Sequence, residues 1–276
     1  MRKPFAYSKL LNSLLMSRQK LGQHFLSSVT WRQRIAQTLP SDATATWIEI
    51  GAGHGEMTEL LAARARRIVA IETDRALASA LRSRFAAQPN IEIVESDILS
   101  VNLNALTSGH FHVYGNLPYY ITSPILAHLF RFTAQIESIH VVIQLEVAQR
   151  IVATPGHREY AYLSALCQYF TRPEIVLRIL PGAFRPPPKV HSALVAMHLP
   201  GERARLNIEN DLAFLEFLQH SFAQKRKTLR NNLKSIFTDE KIAAALAACK
   251  LTSNSRAEEL SLVQFAQLIR ALPPQL

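Results

Sequence analysis

The amino-acid sequence predicts an α/β fold followed by a smaller all-helical region. An apolar strand at residues 47–50 runs into a glycine-rich loop, 51–55, and then into an amphipathic helix. Nucleotide-binding α/β folds open in this way. Two later apolar strands, 68–71 and 91–94, lead into acidic residues. From residue 201 onward the apolar spacing is helical, so the sequence predicts a ligand-binding sheet domain joined to a helical domain.

Composition fits one large domain, or a large and a small one, with a polyanionic partner. The chain has 276 residues, of which 48% are hydrophobic, and a formal net charge of +10. Such a charge favours nucleic acid as the partner over an anionic membrane surface, although it also serves solubility alone. The two cysteines show no metal-ligand spacing, and no apolar run is long enough to span a membrane. We therefore expect a cytoplasmic protein with no metal site.

The chain divides into three predicted segments. Residues 1–17 form a basic N-terminal arm, 18–200 the α/β domain and 201–276 the helical domain, with Pro200-Gly201 at the boundary. The first acidic residue of the chain is Asp42. The arm has three interpretations, namely disordered chain, nucleic-acid contact or transit peptide. We favour a flexible arm that lies near nucleic acid.

Acidic residues at successive strand ends predict an adenosine site. Glu72 ends the strand that follows the glycine loop, where a carboxylate can accept hydrogen bonds from both hydroxyls of a ribose. Asp97 follows the next strand and can accept from an adenine amine. Each acid alone would more often be a helix cap or a surface charge, and Asp74 is expected to cap the next helix. Together with Gly51 in the loop, Glu72 and Asp97 favour a bound adenosine.

The residue after the glycine loop separates two kinds of cofactor. Glu56 stands where a dinucleotide-binding loop would continue toward another glycine. A carboxylate at a helix N-terminus would repel a pyrophosphate, but it would not repel a cationic sulfonium. The sequence therefore predicts S-adenosylmethionine rather than a nicotinamide cofactor.

The segment Asn116-Leu117-Pro118-Tyr119 follows a short apolar strand and carries the predicted chemistry. The side-chain amide of Asn116 and the carbonyl of Leu117 can accept both hydrogens of an exocyclic amine. Pro118 fixes the backbone between these two acceptors. Tyr119 offers a flat face on which a base can stack. The alternative is an ordinary strand-to-helix turn, since asparagine and proline are common turn residues.

Two later segments predict contacts with RNA. Phe184 begins a rigid, proline-rich and basic loop, where its ring can form the second face of a base sandwich or a hydrophobic plug beneath the loop. The stretch 222–234 carries five cations and no acid, and we expect a helix whose basic face contacts phosphates. Its proposed RNA-binding residues are Lys225, Arg226, Lys227, Arg230 and Lys234.

Taken as a set, five motifs resemble the bacterial small-subunit (16S) ribosomal RNA adenine dimethyltransferases, the KsgA or RsmA family. The resemblance runs from about residue 18 to the C-terminus. The motifs are Leu21-Gly22-Gln23-His24-Phe25-Leu26, Glu49-Ile50-Gly51-Ala52-Gly53, Gly115-Asn116-Leu117-Pro118-Tyr119, Phe184-Arg185-Pro186-Pro187-Pro188-Lys189-Val190 and Gln224-Lys225-Arg226-Lys227-Thr228-Leu229-Arg230.

The resemblance implies a seven-stranded Rossmann-like class I methyltransferase sheet with a small helical C-terminal domain. It implies dimethylation of two adjacent adenines in the 3′-terminal hairpin of 16S rRNA. We expect the enzyme to be a monomer that acts on immature small subunits. Motif by motif, it places cofactor contacts on His24, Leu26, Gly51, Glu72, Asp97 and Asn116. The sequence departs from the family at Tyr120, where the family often has asparagine.

Two alternatives remain at the level of the sequence. One is a related methyltransferase that modifies large-subunit RNA. The other is a ribosome-assembly or transcription factor that kept the fold and lost catalysis. The Phe184 loop and the basic stretch favour the small-subunit enzyme over the first, and Glu72, Asp97 and the Asn116 segment disfavour the second.

Overall fold

A computed structural model describes residues 24–272, so the predicted N-terminal arm at 1–17 lies outside the described residues. The described chain forms two compact units. The sheet unit contains residues 24–148 and 173–199, and the helical unit contains 149–172 and 200–272. The helical unit thus includes 149–172, which the sequence analysis assigned to the α/β domain, and the predicted boundary stays a prediction.

The secondary structure alternates strands and helices up to residue 152 and becomes helical after residue 200. The strands are β1 (Phe25–Leu26), β2 (Thr46–Ile50), β3 (Arg67–Glu72), β4 (Ile91–Glu95), β5 (Phe111–Asn116), β6 (Ile136–Gln144), β7 (Arg172–Ile179), β8 (Phe184–Arg185) and β9 (Ser192–His198). The α-helices are α1 (Val29–Thr38), α2 (Glu56–Ala62), α3 (Arg75–Arg84), α4 (Thr122–Leu129), α5 (Leu145–Val152), α6 (Tyr162–Phe170), α7 (Arg203–Leu206), α8 (Asp211–Ser221), α9 (Leu229–Leu233), α10 (Asp239–Ala248) and α11 (Leu262–Ala271).

The predicted seven-stranded sheet is confirmed, with strand order β4-β3-β2-β5-β6-β9-β7. Strands β4, β3, β2, β5 and β6 are parallel neighbours, and β9 runs antiparallel to β6. In the register, Ile50 lies opposite both Ile71 and Gly115, and Glu72 lies opposite Glu95. The carboxyl ends of β2, β3, β4 and β5 therefore meet at one edge of the sheet, where open α/β sheets bind their ligands.

The central strands form because their sequences are apolar almost throughout, as expected for parallel strands covered on both faces. In β2 every residue is buried, and β3 is buried from Ile68 onward. The tight turn from β2 to α2 requires glycine, since Gly51, Gly53 and Gly55 all have positive φ. A Cβ on Gly55 would also lie 2.7 Å from the side chains of Leu81 and Phe85. The loop can therefore pack against α3 only through glycine.

A two-stranded sheet joins two motifs that are far apart in the sequence. Strand β1 pairs antiparallel with β8, with Phe25 opposite Arg185 and Leu26 opposite Phe184. The backbone amides of Ser27 and Ser28 continue this pairing by donating to the carbonyl of Ala183. The start of the described chain is thereby attached to the proline-rich loop.

The basic stretch of the helical unit is not one helix, so the predicted continuous helix over 222–234 is wrong. Helix α8 ends at Ser221 and α9 begins only at Leu229, with Thr228 as its N-cap. The Asn232 side chain donates to the carbonyls of Ser221 and Gln224, at 2.7 and 3.2 Å, and this stabilises the intervening turn. Such capping competes with helix continuation, and apolar periodicity does not reveal it.

Within the described range, no helix combines the length and the apolar character needed to cross a membrane.

Candidate active site

A cleft opens at the carboxyl edge of the parallel strands, within the sheet unit. Eight of the predicted site residues line it, namely His24, Gly51, Glu72, Asp97, Asn116, Leu117, Pro118 and Tyr119. Its lining also includes Phe25, Ile98 and Ile121, whereas no lysine or arginine of the described chain is among the lining residues. The cleft is therefore apolar and acidic, and it suits a cationic ligand better than a phosphate.

The side chain of Glu72 organises the floor of the cleft. Its Oε2 accepts a hydrogen bond from the Gly53 amide at 2.8 Å, and its Oε1 accepts from the Asp74 amide at 2.9 Å. The residue is only 3% exposed. Because each carboxylate oxygen can accept two hydrogen bonds, both oxygens keep acceptor capacity for a ligand hydroxyl. Glu72 thus holds the glycine loop and remains able to bind a ribose.

Asp97 takes the position predicted for it and also performs the alternative, capping role. Its Oδ1 accepts from the Leu99 amide at 2.9 Å, which caps the short 3₁₀ helix Ile98–Ser100. The residue is exposed and lines the cleft, so one side chain can serve the cap and a ligand. Asp74 likewise caps α3 as expected, through the amides of Ala76 and Leu77.

The Asn116 side chain is oriented by a hydrogen bond that spans most of the sheet unit's sequence. Its Nδ2 donates to the carbonyl of His24 at 2.9 Å. This bond orients the amide group, and its Oδ1, the acceptor atom of the side chain, can accept from a ligand. The Leu117 amide donates to the carbonyl of Val142 at 3.0 Å, which extends the β5–β6 ladder beyond Asn116. The backbone around the two predicted acceptors is therefore fixed.

Tyr119 is held from its phenol end. Its hydroxyl lies 2.9 Å from the hydroxyl of Ser192, the first residue of β9. Its ring centroid lies 5.7 Å from that of His24, whose Nδ1 is 2.7 Å from the carbonyl oxygen of Pro186. Burial raises the pKa of the Tyr119 hydroxyl, and the bond to Ser192 opposes this shift. The ring is thus a fixed, uncharged surface beside the cleft.

Two residues predicted for the cofactor and base sites do not line the cleft. Phe184 is 2% exposed and belongs to the hydrophobic core, because its pairing with β1 places it beneath the loop. This burial favours the plug interpretation, and the stacking role of Phe184 stays a prediction. Leu26 is also buried in that core, opposite Phe184, so a contact of its side chain with cofactor stays a prediction.

Two contributors to the site were missed in the sequence. Phe25 lines the cleft, and its ring would lie 3.2 Å from a Cβ on Gly53. Its place in the motif beside His24 could have indicated it. Ser192 fixes Tyr119 across 73 residues of sequence. No sequence signal indicates that pairing, because it depends on β9 lying beside β6.

Glu49 is a buried acid beneath the glycine loop. It is 2% exposed, and its Oε2 accepts from the Thr58 hydroxyl at 2.6 Å. Burial raises the pKa of Glu49 from 4.5 to about 8, the Thr58 bond opposes this, and the charges of Glu72 and Glu56 add to the rise. The folded protein therefore keeps Glu49 protonated at neutral pH.

We predict that Glu49→Gln flattens the loss of stability toward alkaline pH. Between pH 4.5 and about 8 the folded state binds one more proton at Glu49 than the unfolded state does. The free energy of unfolding of the wild type therefore falls as pH rises through this window. Glutamine is neutral throughout and can still accept from Thr58. Urea denaturation at about pH 5 to 9 should show that the free energy of unfolding of the variant rises relative to that of the wild type as pH increases. The control is Glu92→Gln, which changes an exposed glutamate. If the free energies of unfolding of variant and wild type differed by the same amount at every pH, Glu49 would not be the protonated group inferred here.

The basic stretch of the helical unit contains two kinds of cation. Arg230 makes a bidentate pair with Asp239, at 2.8 and 2.7 Å, and Lys234 lies 3.4 Å from the same carboxylate. The ammonium group of Lys225 donates to the carbonyl of Arg158. Arg226 and Lys227 are exposed in the turn before α9, and no carboxylate of residues 24–272 pairs with them. These two side chains are therefore the most available for a polyanion.

No group of three or more histidine, cysteine, aspartate or glutamate side chains between residues 24 and 272 could hold a metal ion.

Two solved structures share this fold over most of the chain. A dimethyladenosine transferase from Plasmodium falciparum superposes with a TM-score of 0.77 at 22% identity, covering 90% of this chain and 96% of that one. The 23S rRNA methyltransferase ErmE superposes with a TM-score of 0.66 at 25% identity, covering 90% and 99%. The seven-stranded sheet and these two likenesses give the chain a Rossmann-like methyltransferase fold.

The chain belongs to the ribosomal RNA adenine dimethylase family, whose sequence model matches residues 15–273. Two bacterial relatives bear the name ribosomal RNA small subunit methyltransferase A. The relative from Acidobacterium capsulatum is 44% identical over 256 residues, which cover 92% of this chain and 90% of the relative. That from Koribacter versatilis is 40% identical over 275 residues, covering 95% and 96%. The chain is thus an rRNA adenine methyltransferase, as the motifs predicted.

Proposed function

We propose that this enzyme transfers methyl groups from S-adenosylmethionine to the exocyclic amines of two adjacent adenines in the 3′-terminal hairpin of 16S rRNA. The observation that carries this proposal is Asn116, whose amide is anchored to His24 at the mouth of an acidic cleft. The names of the bacterial relatives support the small subunit as substrate.

The cleft fits the sulfonium donor in three respects. Glu72 keeps acceptor capacity for the ribose, and Asp97 offers a carboxylate to the adenine amine. Gly51 and Gly53 line the cleft beside these acids and have no side chain to fill it. The donor supplies an electrophilic methyl group on a positively charged sulfur. The cation-free lining of the described cleft suits that charge.

The acceptor side of the reaction rests on hydrogen bonds to the adenine amine. An adenine amine is a poor nucleophile because its lone pair is delocalised into the ring. If its two hydrogens are held by Asn116 Oδ1 and the Leu117 carbonyl, the nitrogen becomes pyramidal and its lone pair localised. Most of the protein's contribution is then orientation and fixed dipoles. No strong general base is required, because the amine proton becomes acidic once the nitrogen carries the new methyl group.

Tyr119 is proposed to stabilise the flipped-out adenine. Extrusion of a base from its stack costs a few kcal/mol. Stacking on an aromatic ring returns about 1–3 kcal/mol. Because Ser192 and His24 fix the Tyr119 ring, little conformational entropy is lost when the base binds.

The proposed partner is the immature small ribosomal subunit, met in the cytoplasm by a monomeric enzyme. Arg226 and Lys227 of the turn before α9 would contact phosphates, together with Lys225, Arg230 and Lys234. Mapping dimethyladenosines by primer extension on 16S and 23S rRNA, in a deletion strain with and without the gene restored, tests the proposal. Methyl groups restored only on 23S rRNA would support the large-subunit alternative, to which the likeness to ErmE points.

We predict that Arg226→Ala combined with Lys227→Ala weakens RNA binding mainly by removing two cations that neutralise phosphates. The slope of log K against log salt concentration should become shallower by about 1 for each phosphate that is no longer neutralised. The measurement is fluorescence anisotropy of a labelled 16S hairpin in KCl, over about 50 to 300 mM, where such slopes are resolved. Lys241→Ala, also an exposed cation of the helical unit, is the control. An unchanged slope in the double variant would argue against phosphate binding by this turn.

A further inference from the structure

An exposed aromatic ring stands beside the cleft and has no role in the chemistry described so far. Tyr120 follows Tyr119 directly and is 44% exposed, one of the large apolar side chains that residues 24–272 leave open to solvent. Phe184, by contrast, is buried. Tyr120 therefore adds an exposed aromatic ring directly after Tyr119, the last residue of the Asn-Leu-Pro-Tyr segment.

Local geometry places the Tyr120 ring outside the cleft, at its rim. Residues Tyr119–Ile121 form one turn of 3₁₀ helix. With about three residues per turn, successive side chains diverge by about 120°. Tyr119 and Ile121 both line the cleft, so the Tyr120 side chain leaves the turn in the remaining direction, toward solvent.

The surroundings of this rim suit an RNA backbone. The proline-rich loop is tied to the cleft at both ends, through Pro186 to His24 and through Ser192 to Tyr119. Between these attachments the chain exposes Lys189 and His191. Lys189 lies three residues before Ser192, whose hydroxyl bonds to Tyr119. Proteins hold single-stranded nucleotides with such cations together with aromatic rings.

We propose that Tyr120 is a stacking platform for the nucleotide adjacent to the adenine being methylated. The inference rests on the proposed function, in which the two target adenines are neighbours. When one adenine leaves the stack to enter the cleft, its neighbour loses a stacking partner. The exposed ring of Tyr120 replaces that partner and holds the second adenine at the rim. Tyr120 is thus a positioning residue that acts on RNA and not on the methyl donor.

Kinetics on undermethylated small subunits from a strain lacking the enzyme test this role. Tyr120→Ala should lower kcat/KM for the subunit by about 5- to 150-fold, the equivalent of one stacked base. Tyr120→Phe should stay within about twofold, because it keeps the ring. Affinity for S-adenosylmethionine, measured by calorimetry, should be unchanged in both. In a second pair of variants, Tyr120→Asn should lose activity because it removes the ring, and Tyr120→Trp should keep activity because it retains one.

The outcomes separate this inference from the proposed function. Val263→Ala removes an apolar side chain of similar exposure, 41%, in the helical unit and should leave kcat/KM unchanged. If the wild type methylates small subunits and Tyr120→Ala equals it, Tyr120 is an ordinary surface side chain and the inference fails alone. If Tyr120→Ala loses donor binding, its role is structural and the inference also fails. If the wild type methylates no small subunit, the proposed function fails first.

Discussion

Replacing Asn116 with alanine is expected to abolish methyl transfer while leaving RNA binding largely intact. The variant loses Oδ1, one of two acceptors proposed for the adenine amine, and it also loses the bond to His24 that orients the site. Removing one preorganised hydrogen-bonding group from an active site typically costs about 10²–10³ in kcat. Here the loss should reach at least the upper end, because the remaining acceptor at Leu117 cannot alone align the lone pair. The loss of kcat is measured by the transfer of tritiated methyl groups to immature small subunits.

Asn90→Ala provides a matched control for this variant. The Asn90 side chain also donates to a backbone carbonyl, that of Ala62, at 3.1 Å, and it also belongs to the sheet unit. Both variants lose one such bond, worth about 1 kcal/mol of stability. Of these two asparagines, Asn116 alone lines the cleft. Near-normal transfer by Asn116→Ala, at a stability equal to that of Asn90→Ala, would show that the role given to Asn116 is wrong.

The fold could be predicted where the sequence pattern is local. Apolar strands, the glycine turn and acids at the ends of β3 and β4 each follow from a few consecutive residues, and the edge at which they meet follows from parallel pairing. The basic stretch shows the limit of this approach. Its spacing fits one helix. The Asn232 side chain, however, donates hydrogen bonds to the carbonyls of Ser221 and Gln224, and these bonds stabilise a turn after α8 in place of a continued helix.

The candidate site was less predictable, because its support comes from distant segments. Asn116 depends on the His24 carbonyl, 92 residues away, and Tyr119 depends on Ser192, 73 residues away. The burial of Phe184 depends on the pairing of its strand, β8, with β1. A residue pattern can indicate which side chains carry chemistry. It cannot indicate whether a ring lies in the cleft or beneath the loop, since this is decided by pairing between segments.

Glu72→Gln is expected to weaken donor binding on the order of 100-fold and to lower the free energy of unfolding by about 1–3 kcal/mol. Both carboxylate oxygens accept backbone amides, from Gly53 and Asp74. Glutamine has a single oxygen, so one of these amides must face another donor. The charged acceptors proposed for the ribose are lost as well. Calorimetry with S-adenosylmethionine and urea denaturation measure the two effects.

Glu95→Gln is the control for Glu72→Gln, because it makes the same change at the neighbouring register position but on an exposed carboxylate. Glu95 lies directly opposite Glu72 in the register of β3 and β4, but it is exposed and pairs with Arg82 at 3.0 Å. An exposed pair contributes about 0–1 kcal/mol, so this variant should keep both stability and donor affinity. If Glu72→Gln lost stability but bound the donor normally, the carboxylate would only hold the glycine loop. The ribose would then have to be bound by other groups of the cleft, of which Asp97 is the nearest in kind because it too is a carboxylate at a strand end.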